Sequence, residues 1–259
     1  MFCLICLFTV IGFNLEASLH QRQTDIIMKI NRKLLNIFPL TVMFFYAMLY
    51  SVSAQHTEPG TWLIYFGNQS LSKKWNWHNE IQYRSYDFKG DLQQLLLRTG
   101  LGYNLSESNN NLLAGYGFIR TENYIPGTEN KTGVDEHRIF QQFITRQQFG
   151  RVFLQHRYRV EERIFKEDFR MRFRYFLAVN IPLNRNTMSA GTFYLSGYNE
   201  AFLNAESPIF DRNRLYGALG YVINKNIKLE AGFMNQSLEK ISSNQFQIVL
   251  FNNLPFYSD

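Results

Sequence analysis

The chain has 259 residues, a formal net charge of +6 and 16% aromatic residues. Its two cysteines, Cys3 and Cys6, lie close to the N-terminus, so the rest of the chain has no residue for a disulfide, a thiolate metal site or a cysteine nucleophile. The positive excess is modest for this length, and no nucleic-acid partner is predicted from it.

The first 54 residues predict an export signal. The stretch that begins at Met28 opens with three basic residues, Lys29, Arg32 and Lys33. An apolar segment follows over residues 34–50, and small residues occupy 52–54, which is the order found in secretory signal peptides. Cleavage is therefore expected before Gln55, and this reading is favoured over a retained transmembrane helix.

The signal divides the chain into three predicted segments. Residues 1–27 are interpreted as the result of a start codon assigned too far upstream, with a genuine leader extension as the alternative. Residues 28–54 are predicted to be the signal peptide. Residues 55–259 form the exported domain, in which 23 basic and 19 acidic residues leave a net charge of about +4 once the charges of residues 1–54 are removed from the totals.

The exported domain is predicted to be all-β. Apolar and polar residues alternate with period two in segments separated by polar turns, and the segments are rich in aromatic and branched residues, as is typical of strands. In chain order the predicted strands are 61–69, 75–88, 92–104, 111–124, 135–149, 151–163, 168–183, 189–202, 211–223, 227–236 and 244–256.

The segment 169–183 shows what this alternation implies. One face carries rings and aliphatic side chains, and the other begins with Arg170, Arg172 and Arg174. Strands of soluble sheets average about 5–6 residues, whereas a transmembrane strand needs about 9–11 residues, apolar outward and polar inward. We therefore predict an antiparallel up-and-down transmembrane β-barrel in the outer membrane of a Gram-negative bacterium.

Two further patterns refine this barrel. Aromatic residues near strand ends are typical of interfacial girdles, and the candidates are Trp75, Trp77, Tyr86, Phe88, Tyr103, Tyr124, Phe149, Phe202, Tyr221 and Phe256. Longer connections after Tyr124, Phe202 and Gln236 are expected outside the cell and shorter ones in the periplasm. These rules predict ten strands over 75–256, with twelve as the alternative and with segment 61–69 left outside the even count.

Several stretches resemble a known family. They are "GTWLIYFGNQSLSKKWNWHNEIQYR", "EHRIFQQF", "LQHRYRVEERI", "RFRYFLAVNIPLN" and "FDRNRLYGALGYVINKN". Together they are similar to domain-of-unknown-function family 2490, outer-membrane β-barrel proteins of Gram-negative bacteria. The resemblance covers almost all of residues 57–256 and implies a fold and a location, but no activity.

The polar face of the strands supplies the candidate functional residues. The predicted lumen-lining residues are Glu80, Arg84, Arg157, Arg159, Glu161, Arg163, Arg170, Arg172, Arg174, Glu200, Arg214 and Glu230. Like charges this close must be paired or hydrated. The expected luminal counter-ions are Glu80, Glu136, Glu161, Glu200 and Glu230. We favour a salt-bridged plug that fills a narrow barrel, and an anion-selective lumen or ligand site is the alternative.

No catalytic residue, metal site or cofactor is predicted. The sequence has no HExxH, GxSxG or P-loop motif. His156 with an external serine is the arrangement that suggests a lipid-modifying enzyme, and Glu161 with Glu200 could form an acid–base pair if barrel closure brought them together. A structural role is favoured for His156, and a role as counter-ions of arginine for the two glutamates. A soluble periplasmic ligand-binding barrel is the other alternative. The expected partners are outer-membrane lipid, the barrel-assembly machinery and a small anionic solute.

Overall fold

The computed structural model describes residues 59–106 and 109–257, which form eleven β-strands and no helix. The predicted signal peptide and its expected cleavage site lie outside these residues. Over the described ranges, no helix is present that could cross a membrane. The strands are β1 (Gly60–Ser70), β2 (Trp75–Ser85), β3 (Leu92–Asn104), β4 (Asn110–Tyr124), β5 (Lys131–Phe149), β6 (Val152–Ile164), β7 (Phe169–Pro182), β8 (Phe193–Asn204), β9 (Phe210–Val222), β10 (Ile227–Ser237) and β11 (Ser242–Asn252).

The eleven strands close into one barrel. Each strand pairs with the next in antiparallel fashion, and β1 pairs with β11 in parallel, with Trp62 opposite Gln247. The prediction of ten strands, or alternatively twelve, is therefore wrong. An odd number of alternating strands leaves the first and last running in the same direction, so the closing pair must be parallel. Segment 61–69, which was left outside an even count of strands, is β1 and forms part of the barrel wall.

Side chains point alternately into and out of the barrel, as the pleat of a strand requires. On β7, Arg172 and Arg174 are 3% and 7% exposed, whereas Phe173 between them is 45% exposed. The outer face is thus apolar and the inner face polar, in the sense that the sequence predicts. Phe202 is an exception among the predicted girdle residues, because it lies on the inner face of β8 and is buried against arginines.

The connections fall into two groups at opposite ends of the barrel. One end, which we call the mouth, carries connections 86–91, 125–130, 165–168, 205–209 and 238–241. The opposite end, which we call the base, carries connections 71–74, 150–151, 183–192 and 223–226. The two sets that the sequence separates do lie at opposite ends. The expected difference in length is wrong, however, because the longest of these connections, 183–192, belongs to the base.

The long base connection was predicted to end at residue 188, and the following residues to begin a strand. Ser189–Thr192 instead form a turn that contains Gly191, whose φ of 81° favours glycine. The Asn184 side chain accepts a hydrogen bond from the backbone N–H of Phe193 at 2.9 Å and donates one to the Gly191 carbonyl at 3.0 Å. These bonds satisfy backbone groups that the sheet would otherwise pair, so β8 begins later than predicted.

The last strand is also shorter than predicted. It ends at Asn252, and residues 253–257 leave the sheet. The backbone N–H of Phe256 donates to the Ser70 carbonyl at 3.0 Å, and the Phe256 ring lies 5.8 Å from that of Trp77 on the outer face. Phe256 therefore packs over the β1–β2 hairpin instead of extending β11.

Two glycines on β9 compare the packed interior with the outer face, because Gly220 is buried and Gly217 is exposed. A Cβ at Gly220 would overlap the ring of Tyr194, whereas a Cβ at Gly217 would meet nothing within 4 Å. We expect Gly220→Ala to lower the free energy of unfolding by about 1–3 kcal/mol, since overpacking forces a large side chain to move. Gly217→Ala should be neutral or slightly stabilising. Denaturant unfolding of the two purified variants measures the difference, and equal losses would contradict this packing.

Candidate functional site

The twelve sequence-predicted lumen residues occupy inner-register positions on six strands. The structure places Glu80 and Arg84 on β2, Arg157, Arg159, Glu161 and Arg163 on β6, Arg170, Arg172 and Arg174 on β7, Glu200 on β8, Arg214 on β9 and Glu230 on β10. Ten of them form one cluster in the half of the lumen nearer the mouth, with Arg157 at its lower edge. Arg170 and Glu230 lie apart from it.

Glu161 is the centre of the cluster. Its side chain is fully buried, and guanidinium nitrogens of five arginines lie within 4.0 Å of its carboxylate oxygens. The distances are 2.5 Å for Arg174, 2.6 Å for Arg172, 3.5 Å for Arg159, 3.7 Å for Arg98 and 3.9 Å for Arg138. These arginines come from four strands, so a single carboxylate joins distant parts of the inner wall.

Further carboxylates extend this network around the lumen. The pairs are Arg174–Glu200 at 2.6 Å, Arg157–Glu200 at 2.7 Å, Arg98–Glu80 at 2.9 Å, Arg138–Glu136 at 2.5 Å, Arg163–Glu136 at 2.6 Å and Arg172–Asp211 at 2.8 Å. Charge-assisted bonds of this kind are roughly twice as strong as neutral ones. The network therefore ties β2, β3 and β5–β9 together from the inside.

An apolar cluster fills the other side of the lumen. It consists of Trp62, Ile64, Tyr216, Met234 and Val249, from β1, β9, β10 and β11. Arginines connect the charged network with this apolar cluster. The Arg84 guanidinium lies 3.8 Å from the centre of the Trp62 ring, and the Arg214 guanidinium lies 5.0 Å from it. A cation over an aromatic face is favourable when both groups are desolvated. Side chains thus form continuous contacts across the lumen, from the charged network to the apolar cluster.

A cavity remains where the network opens toward the mouth. Its volume is about 180 Å³. Eight arginines line it: Arg84, Arg98, Arg138, Arg163, Arg172, Arg174, Arg212 and Arg214. Among the described residues, Glu136 is the one acidic side chain that lines it, and two arginines already bind its carboxylate. The surface of this cavity is therefore strongly positive.

The two remaining candidates have other surroundings. The Arg170 side chain is 60% exposed at the mouth and pairs with Asp168 at 2.6 Å. Glu230 lies in the half nearer the base, where it accepts hydrogen bonds from the hydroxyls of Tyr194 at 2.9 Å and Tyr216 at 3.4 Å. Neither residue touches the Glu161 cluster.

Sequence reasoning missed three members of the cluster, Arg98, Arg138 and Asp211. Arg98 follows three consecutive leucines, which interrupt the alternation of its strand, and Arg138 was not singled out from its strand. Their inner position could have been read from the same period-two register that gave the other arginines. Asp211 lies beside a shift in the pairing of β8 and β9, where the alternation is interrupted and gives no signal.

Outside the barrel wall, the connections at the mouth are held by a separate contact. Asp91 accepts hydrogen bonds from the Lys131 ammonium and, at 2.6 Å, from the Tyr124 hydroxyl. Both bonds stabilise the carboxylate form and hold the pKa of Asp91 below its usual value, and the bond from Lys131 has the larger effect. The contact joins the β2–β3 and β4–β5 connections.

No catalytic arrangement is found around the residues considered for one. His156 lies on the outer face, and its Nδ1 is 2.9 Å from the Tyr175 hydroxyl. Glu161 and Glu200 both bind Arg174, which is the counter-ion role favoured for them from the sequence. Among the described residues, no group of three or more His, Cys, Asp or Glu side chains could hold a metal ion.

Comparison with known proteins gives one match. The family model described as "Protein of unknown function (DUF2490)" matches residues 59–247, which include most of the barrel. No curated protein and no solved structure matches the chain.

Proposed function

Because the chain belongs to the DUF2490 family, whose description gives no activity, we propose a function from the barrel itself: an outer-membrane β-barrel protein with a closed, salt-bridged lumen. In this proposal the protein is exported through the cleaved signal peptide of residues 28–54. The mouth faces the outside of the cell and the base faces the periplasm. The closed lumen favours a structural or ligand-binding role over transport.

The observation that carries the proposal is the inverted distribution of polarity. Large apolar side chains are exposed over the outer face, for example Ile81, Leu97, Leu219 and Phe233, while the charged network lies inside. A monomeric soluble protein rarely exposes a continuous apolar surface of this kind, whereas lipid requires one. The strands have 11 to 19 residues, which is sufficient to cross the hydrocarbon core when tilted.

Exposed aromatic side chains near the two ends give further support. Phe88, Tyr124 and Phe169 lie near the mouth, and Trp75 and Phe149 lie near the base. Such positions match the aromatic girdles of barrels that cross the outer membrane. A soluble periplasmic barrel would leave both the girdles and the apolar band in water. The lipid-modifying enzyme has no observation in its favour, because His156 is bonded to a tyrosine.

Fractionation of cells that produce the full chain tests this proposal. The protein should be recovered in the outer-membrane fraction, resist extraction with alkaline carbonate and begin at Gln55. Pure protein from this fraction should leave planar lipid bilayers without steady current, because a barrel of eleven strands encloses little space beyond its own side chains. Recovery in the soluble periplasm would contradict the location, and a steady anion-selective current would contradict the closed lumen.

A further inference from the structure

The arginines at the mouth have more binding capacity than the protein itself uses. The Arg84 guanidinium donates to the side chains of Gln82 at 2.9 Å and Gln94 at 2.6 Å, and within the described chain no carboxylate lies within 4.0 Å of it. Arg214 donates to Gln236 at 2.9 Å, and its nearest paired carboxylate oxygen, on Glu200, is 4.0 Å away. Both cations are buried and line the mouth cavity.

Arg98 adds an independent sign of an incomplete site. Its side chain is 4% exposed and also lines the cavity. Its Nε atom is buried and has no hydrogen-bond partner. A buried donor without a partner costs free energy, and most such groups in native proteins are satisfied by protein, water or ligand. Three arginines on three different strands thus present positive charge or a free donor around the same space.

We propose that the mouth cavity is a binding site for a small polyanion that carries phosphoryl groups. Guanidinium groups bind phosphate through paired N–H donors, and several of them around one cavity match the several oxygens of a phosphoryl group better than the two of a carboxylate. The cavity has a volume of about 180 Å³ and opens toward the mouth, so it offers room for a small phosphoryl compound such as a diphosphate.

The charge balance explains why an anion is needed there. The carboxylates of the network lie below the cavity or in its wall, and those of Glu136, Glu161 and Glu200 are each shared by at least two arginines. A polyanion in the cavity would reduce the repulsion among arginines that these carboxylates leave uncompensated. The site is formed by side chains of the barrel alone, so binding does not depend on the proposed membrane location.

Titration calorimetry on the purified full chain in detergent tests this site, with inorganic pyrophosphate as the probe. We expect saturable binding that weakens as salt increases. The double variant Arg84→Gln/Arg214→Gln should bind at least about 10-fold more weakly, since each substitution removes a charge-assisted donor pair. Arg120→Gln is the matched control. Arg120 lies on the outer face at the same end and pairs with Asp135 at 3.1 Å, so its loss should leave the affinity unchanged.

A milder variant keeps the test decisive if the double variant does not fold. Arg84→Lys retains the charge but loses the planar fork, and pyrophosphate binding should weaken several-fold while the protein remains folded. Wild-type protein that binds no pyrophosphate, or an Arg84→Lys variant with unchanged affinity, would overturn the proposal.

A second arm identifies the source of the phosphoryl group. Phosphatidic acid is added to the same micelles, and pyrophosphate binding is measured again. Loss of the pyrophosphate signal would support the site and assign it to a lipid headgroup. An unchanged signal would support the site and assign it to a free solute.

Discussion

Replacing Glu161 by glutamine is expected to lower the free energy of unfolding by about 3–5 kcal/mol, because breaking a buried ion pair leaves its partners charged and uncompensated. Five arginines surround this one carboxylate, so its loss affects more than a single pair. Glutamine keeps the shape of the side chain, removes the charge and replaces one accepting oxygen by an NH2 donor. Urea unfolding of the refolded wild type and variant in the same detergent measures the change.

Glu167 provides the control for this substitution. Its side chain is 85% exposed in the β6–β7 connection, and it lies 3.8 Å from the equally exposed Lys166. Surface ion pairs contribute little because water screens them, so Glu167→Gln should change the free energy of unfolding by no more than about 0.5 kcal/mol. If the two variants were equally stable, the network around Glu161 would not hold the barrel together.

The sequence predicts the wall of this barrel better than its closure. Long strands with period-two alternation fix which residues share a face, and the alternation of Arg172 and Phe173 is enough to assign inside and outside on β7. The parallel pairing of β1 with β11 carries no such local signal. It follows from the total number of strands, and one additional strand changes the closing pair from antiparallel to parallel.

The pairing inside the lumen could be predicted only in part. Arg172 lies opposite Glu161 on adjacent strands, and the register of one hairpin is sufficient to place these two together. Arg98 reaches the same carboxylate from β3, three strands away from β6. That contact depends on the width and curvature of the closed barrel, which alternation does not encode. Phe202 was assigned to the outside for a related reason, because aromatic character was given more weight than its inner register.

A new charge on the outer face is expected to have the second large effect, because its free-energy cost is high in lipid and low in water. Leu97 lies near the middle of β3 and faces outward between Ile81 and Phe118. Leu97→Arg should cost about 2–4 kcal/mol if this position lies near the midplane of a bilayer. The folded fraction after dilution from urea into phospholipid vesicles, measured by heat-modifiable gel mobility, should fall sharply.

Leu71 is the matched control, because it lies in the β1–β2 connection at the base and is 41% exposed, against 40% for Leu97. The two variants therefore make the same chemical change at nearly equal exposure, one in a connection at the end of the barrel and one at the middle of a strand. Arginine near the end of a barrel costs about 0–1 kcal/mol, because its charged group can reach water, so Leu71→Arg should fold almost as well as the wild type. In a water-soluble barrel both positions would be ordinary surface sites with effects of about 0.5 kcal/mol or less. Equal folded fractions for the two variants would therefore refute the assignment of the outer face to lipid.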